Sequence, residues 1–184
     1  NRAVTDVIEP GSTMKPFTIA AALESGQWKP TTAIDTTPGT LQLAGGYTIR
    51  DFRNYGVINL TRVITKSSNV GAAKIASSLS SEHMYDVFHR FGFGEVSGCG
   101  FPGESPGFLP ISKSWGPVEK ATISYGYGLS VTPMQLAQAY AALANGGRLR
   151  KPGFVKGALN PDVAVIDPQI AQSVRAMLET VISP

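Results

Sequence analysis

Cysteine and histidine are scarce in this 184-residue chain: one Cys, Cys99, and two His, His83 and His89. A single cysteine excludes an intrachain disulfide and any CxxC metal or redox motif. It stands in Gly98-Cys99-Gly100 with no histidine nearby, so it reads as an idle or packed thiol rather than a nucleophile. The two histidines are six residues apart, which places them on different faces of a helix, and no metal site is expected. Charge is also sparse, at 16% of residues against 42% apolar, which excludes a disordered, solvated chain. Long apolar runs are missing: stretches such as 19–23 are far too short to cross a bilayer. Nowhere do basic and aromatic residues interleave as in a single-strand binder, so the net charge of +3 reads as a mildly basic surface and no nucleic-acid partner is expected. No G-x-x-x-x-G-K-[ST] loop is present, and Gly92-Phe93-Gly94 and Gly126-Tyr127-Gly128 lack the strand-to-helix setting of a dinucleotide fingerprint. A G-x-S-x-G elbow is absent as well. No cofactor is therefore expected.

What is present is a patterned globular chain, long enough for one core. Residues 3–8 alternate loosely and predict a strand, broken by Glu9-Pro10-Gly11. Residues 12–27 predict a helix, with Ser12 at its entry, Pro16 in its first turn and Gly26 at its end. Residues 40–51 read as a hairpin turning at Ala44-Gly45-Gly46. Asn59 caps a helix that Ser67-Ser68-Asn69 interrupts, and helices follow over 70–79 and 81–91. Residues 92–116 are loop-like, and 118–125 form a short helix. Thr132-Pro133-Met134-Gln135 is a helix start with a capping box, and Gly146-Gly147 stops that helix. A strand over 163–166 and a helix from Asp167-Pro168 to about Ile182 close the chain. The order predicts a mixed α/β chain with a helix-rich middle.

One constellation carries chemistry. Ser12-Thr13-Met14-Lys15 is an S-x-x-K tetrad at a helix start, and positions i and i+3 share a face, so the Lys15 amine can reach the Ser12 hydroxyl. A lysine held neutral by desolvation can take the serine proton. By itself the tetrad is weak: about one arises by chance in a chain this long, and Ser12 could simply cap a helix. A second element strengthens it. Ser67-Ser68-Asn69 supplies an S-x-N triplet, a further hydroxyl to relay a proton and an amide to orient the lysine, although Ser and Asn are also common in turns. S-x-x-K with S-x-N and K-[ST]-G marks the penicillin-recognising serine enzymes.

Three stretches occur in order: Glu9-Pro10-Gly11-Ser12-Thr13-Met14-Lys15-Pro16-Phe17, then Lys66-Ser67-Ser68-Asn69-Val70-Gly71, then Tyr125-Gly126-Tyr127-Gly128-Leu129-Ser130-Val131-Thr132-Pro133-Met134-Gln135-Leu136-Ala137. Together they resemble the transpeptidase domain of class B penicillin-binding proteins, most nearly the septal D,D-transpeptidases of Gram-negative bacteria, along essentially the whole chain. The resemblance implies an α+β transpeptidase fold, an antiparallel sheet with a helical subdomain. It implies that Ser12 is acylated, Lys15 is its base, Ser67 relays a proton, and Asn69 holds Lys15 and the donor amide. Tyr125, Tyr127, Gly128 and, more weakly, Phe52 would line the substrate cleft, and the Ser12 N–H would be half of an oxyanion hole. The implied substrate is the D-Ala-D-Ala end of a peptidoglycan stem peptide, with β-lactams as covalent mimics. A division glycosyltransferase and its regulators are the implied partners, at the periplasmic face of the inner membrane.

Two departures stand out. Ile8 replaces a Phe frequent in similar proteins. More important, no Lys-[Ser/Thr]-Gly triplet occurs, and Lys156-Gly157 is not one. In similar proteins that triplet lies on an edge strand and binds the substrate carboxylate. Residues 1–184 are accordingly expected to be part of one transpeptidase domain with an incomplete sheet, the triplet following Pro184 and a membrane anchor lying outside the chain. A D,D-carboxypeptidase or β-lactamase, and a non-catalytic β-lactam sensor or divisome-binding module, are the rival readings.

Overall fold

The computed structural model describes residues 1–154 and 160–182, so the Lys156-Gly157 pair lies outside the described residues. Among the described residues eight α-helices and six short strands follow in order: α1 (Arg2–Thr5), α2 (Lys15–Glu24), β1 (Ile34–Asp35), β2 (Thr40–Gln42), β3 (Thr48–Arg50), β4 (Val57–Ile58), α3 (Leu60–Thr65), α4 (Asn69–Ser78), α5 (Ser81–Arg90), α6 (Pro117–Ile123), α7 (Pro133–Ala144), β5 (Arg148–Arg150), β6 (Asp162–Ala164) and α8 (Pro168–Glu179). Among the described residues the strands form three separate antiparallel pairs, β1 with β4, β2 with β3 and β5 with β6.

The segment expected as a strand over residues 3–8 is instead a helical turn. Asn1 Oδ1 accepts from the Ala3 N–H, and Arg2 Nε meets Asp6 Oδ2 at 2.6 Å one turn on. Those local contacts outweigh a loose apolar alternation, and only Ile8 makes an extended bridge, to Val131. The helix expected over 12–27 begins as a 3-10 turn, Gly11–Met14, and is α-helical only over Lys15–Glu24. The hairpin, the Asn59 cap, the Asp167 cap and the capping box lie where the residue pattern puts them; Thr132 Oγ1 accepts from the Gln135 N–H at 3.1 Å while Gln135 Oε1 accepts from the Thr132 N–H at 2.7 Å. The two-residue strands β1 and β4 carry too little pattern to be read ahead.

Helix α2 is the axis of the core. Residues 15–22 are buried all round, and α2 packs against α3, α4, α5 and α8. Phe17, fully buried, meets Phe91 and Phe93 edge-on at 5.0 Å each and Tyr140 at 5.4 Å. Such pairs contribute about 0.5–1.5 kcal/mol each beyond area burial. This cluster fixes the start of α2, and with it the S-x-x-K turn.

Candidate active site

The 3-10 turn that carries Ser12 is held by two hydrogen bonds to other segments, and the helix after it by a third. The Gly11 N–H donates to Gly126 O at 3.0 Å, the Tyr140 hydroxyl donates to Thr13 O at 3.0 Å, and Thr18 Oγ1 donates to Ser124 O at 2.8 Å. Gly126 has φ +89°, and a Cβ there would lie 1.9 Å from Gly11 O, so only glycine permits this approach. Ser12 itself is exposed, and among the described residues its backbone N–H has no acceptor.

Lys15 points inward from the first turn of α2 and is 1% exposed. Its Nζ lies 2.9 Å from Ser12 Oγ, 2.6 Å from Ser67 O, 2.8 Å from Ser67 Oγ and 2.8 Å from Asn69 Oδ1. Ser67 Oγ in turn lies 2.9 Å from Ser12 Oγ. The sequence interval between the two motifs is thus closed by direct contact. Burial pulls the Lys15 pKa down to about 8, partly opposed by the negative charge of Asp51.

The four neighbours constrain the protons. Two are carbonyl oxygens, Ser67 O and Asn69 Oδ1, which can only accept. A neutral amine has two N–H groups and one lone pair. With both N–H groups given to the carbonyls, the lone pair faces the hydroxyls. If Ser67 donates to Ser12 Oγ, the Ser12 proton is left to point at Nζ. An ammonium would instead offer three N–H groups and no acceptor.

Ser67 reaches this position through a left-handed backbone, φ +53°, uncommon for serine. The turn is pinned by Asp51, which follows β3. Asp51 Oδ1 accepts from the backbone N–H groups of Asn69 at 2.6 Å and Val70 at 3.0 Å, and Oδ2 accepts from Ser68 Oγ at 2.7 Å. Ser68 also caps α4 by accepting from the Gly71 N–H, and Asn69 Nδ2 donates to Arg50 O at 3.2 Å. A carboxylate at a helix N-terminus is favoured both by the free N–H groups and by the helix dipole. Asp51 was not singled out from the sequence: a lone Asp after a hairpin has no local signal.

The aromatic residues divide. Tyr125 is 5% exposed and Tyr127 50%, with rings 5.8 Å apart, and burial among neighbouring tyrosines raises the Tyr125 hydroxyl pKa well above its ordinary range. Gly128 donates its N–H to Glu9 Oε1 at 3.0 Å, so the 125–128 segment runs against the approach to Ser12. Phe52 is 97% exposed beside Asp51 and packs on nothing in the site.

Comparison with known proteins shows the family. A family model described as penicillin binding protein transpeptidase domain matches residues 1–184. The chain is 40% identical over 185 residues to the probable peptidoglycan D,D-transpeptidase PbpC of Pseudomonas aeruginosa, covering 99% of this chain and 32% of that protein. It is 38% identical over 187 residues to the peptidoglycan D,D-transpeptidase FtsI of Escherichia coli, covering 100% of this chain and 31% of that protein. It superposes on the apo transpeptidase domain of Burkholderia pseudomallei penicillin-binding protein 3 with a TM-score of 0.94 at 42% identity, covering 100% of this chain and 56% of that one. The chain thus spans about a third of the length of those two curated relatives. With the S-x-x-K and S-x-N residues in contact on a matching backbone, the chain belongs to the penicillin-binding protein transpeptidase domain family.

Proposed function

We propose that this chain supplies the acylating centre of a serine D,D-transpeptidase that cross-links peptidoglycan stem peptides and is a covalent target of β-lactams. The observation that carries the reading is the buried Lys15 amine within 2.9 Å of the Ser12 hydroxyl and 2.8 Å of both Ser67 Oγ and Asn69 Oδ1.

In this reading Ser12 Oγ attacks the carbonyl carbon of the penultimate D-Ala as its proton passes to Lys15 Nζ. The carbonyl oxygen takes the negative charge beside the Ser12 N–H; one oxyanion donor is typically worth about 3–4 kcal/mol. The C–N bond then breaks, and the proton held at Nζ reaches the departing D-Ala amine through Ser67 Oγ. An amine of a second stem peptide attacks the acyl-serine, losing its proton along the same path in reverse, and the new amide releases Ser12. Asn69 holds Lys15 through Oδ1. Tyr125, Tyr127, Gly128 and Phe52 are proposed to border the cleft, Tyr127 and Phe52 by their exposure. The names of the relatives support peptidoglycan D,D-transpeptidation; septal cell-wall synthesis at the periplasmic face of the inner membrane, with a division glycosyltransferase and its regulators as partners, is proposed on the sequence resemblance.

The test is fluorescent-penicillin labelling of the full-length protein. Ser12→Ala is expected to abolish labelling with the fold intact; labelling that persists in that variant overturns the assignment.

A further inference from the structure

A polar cavity of about 220 Å³ opens between the loop after β3 and α3, lined by Arg53, Asn54, Tyr55, Ile58, Arg62 and Lys66. Three of the six are cations and none is an acid. The ion pairs among the described residues involve none of the three. Clustered like charges repel, so such a grouping calls for an anion. Arg62 and Lys66 stand at the last turn and C-cap of α3, where one cation complements the helix dipole. That does not account for Arg53, which enters from a separate segment with its guanidinium over the Tyr55 ring, 5.6 Å from the centroid. Stacking leaves the planar fork edge free for a two-point contact. Asn54 Oδ1 accepts from the Gly56 N–H, and its Nδ2 amide can donate to an anion in the cavity.

Two chain connections tie this cavity to the Ser12 centre. Lys66 directly precedes Ser67, whose Oγ lies 2.9 Å from Ser12 Oγ, and Arg53 follows two residues after Asp51, which pins the S-x-N turn. We propose that Arg53, Arg62, Lys66 and the Asn54 amide form an anion-binding subsite that holds a side-branch carboxylate of the peptide substrate while its D,D end lies at Ser12. The proposal rests on Ser12 being the acyl acceptor for a peptide. It adds that the peptide is gripped by charge on the S-x-N side of the cleft.

The experiment uses the full-length protein and two synthetic peptides ending in D-Ala-D-Ala. One carries a single free side-branch carboxylate, and the other has that carboxylate as the primary amide. Binding is followed by NMR through the Arg Nε–Hε signals and by the dissociation constants. Exposed ion pairs are individually weak, but three cations acting together are expected to favour the carboxylate peptide by about tenfold, and high salt should erase the preference. Arg53→Gln with Arg62→Gln is expected to bring the two peptides to equal affinity, while fluorescent-penicillin labelling stays at the wild-type rate and shows that fold and Ser12 chemistry are intact. Equal binding of the two peptides by the wild type, or a preference that survives the double substitution, overturns the proposal. Loss of penicillin labelling in the wild type would instead count against the Ser12 reading, and the binding ratio still decides the subsite.

Discussion

Asp51 and Asn69 are joined by a 2.6 Å hydrogen bond, from the backbone N–H at the head of α4 to a carboxylate oxygen at the foot of the hairpin. Through this bond the β2–β3 pair, which takes no direct part in the Ser12–Lys15 contact, sets where the S-x-N turn sits. Asp51 also supplies the negative charge that partly offsets the desolvation of Lys15. One side chain therefore acts on both the geometry and the proton affinity of the centre.

Asp51→Asn tests both effects. The amide keeps an oxygen for the Asn69 and Val70 N–H groups but loses the charge and the acceptor facing Ser68 Oγ, so stability should fall by about 1–2 kcal/mol. Without the charge the Lys15 pKa should drop further, moving the acylation pH midpoint to lower pH. A variant that is merely less stable, with an unmoved midpoint, would show that the charge of Asp51 does not reach Lys15.

The pH dependence of acylation in the wild type follows from the Lys15 pKa of about 8. Acylation by penicillin should rise tenfold per pH unit below that value and level off above it, as the neutral amine becomes the dominant form. Stability follows the same group. Below about pH 8 lysine is protonated in folded and unfolded chains alike, and folding bears the full cost of burying the charge. Between there and the ordinary lysine range only the unfolded chain keeps the proton, so stability rises with pH by up to about 3 kcal/mol. Stopped-flow acylation and urea unfolding across pH 6–10 check the two; a rate flat through pH 8 would remove Lys15 as the base.

Gly126→Ala probes the close approach behind the nucleophile turn. The new Cβ would overlap Gly11 O in a backbone conformation that alanine resists. Overpacking and strain together predict a loss of about 3 kcal/mol or more, with labelling of Ser12 reduced in whatever fraction remains folded. Thermal unfolding and labelling at wild-type levels would mean that the turn does not depend on this contact.

Local devices were readable in the chain before any folding. Thr132 with Gln135, and the caps Asn59 and Asp167, involve residues two or three apart, and their hydrogen bonds form wherever the helix begins. The Ser12–Lys15 pairing is local in the same sense. Residues 3–8 show the limit of such reading: alternation suggested a strand, while an Asn1 cap and an Arg2–Asp6 pair made a turn of helix.

The order of residues by itself thus determined the capped helix starts at Asn59, Thr132 and Asp167, the hairpin, the two motifs and the family they resemble. Only the tertiary structure decided that Lys15 is buried, and hence poised near neutrality, because desolvation is a property of everything packed around the amine. It also decided that Ser67 and Asn69 meet that amine, that Asp51 pins them, and that Arg53 joins Arg62 and Lys66 at one cavity, since each contact joins segments whose meeting depends on how α2, α3, α4 and the hairpin pack.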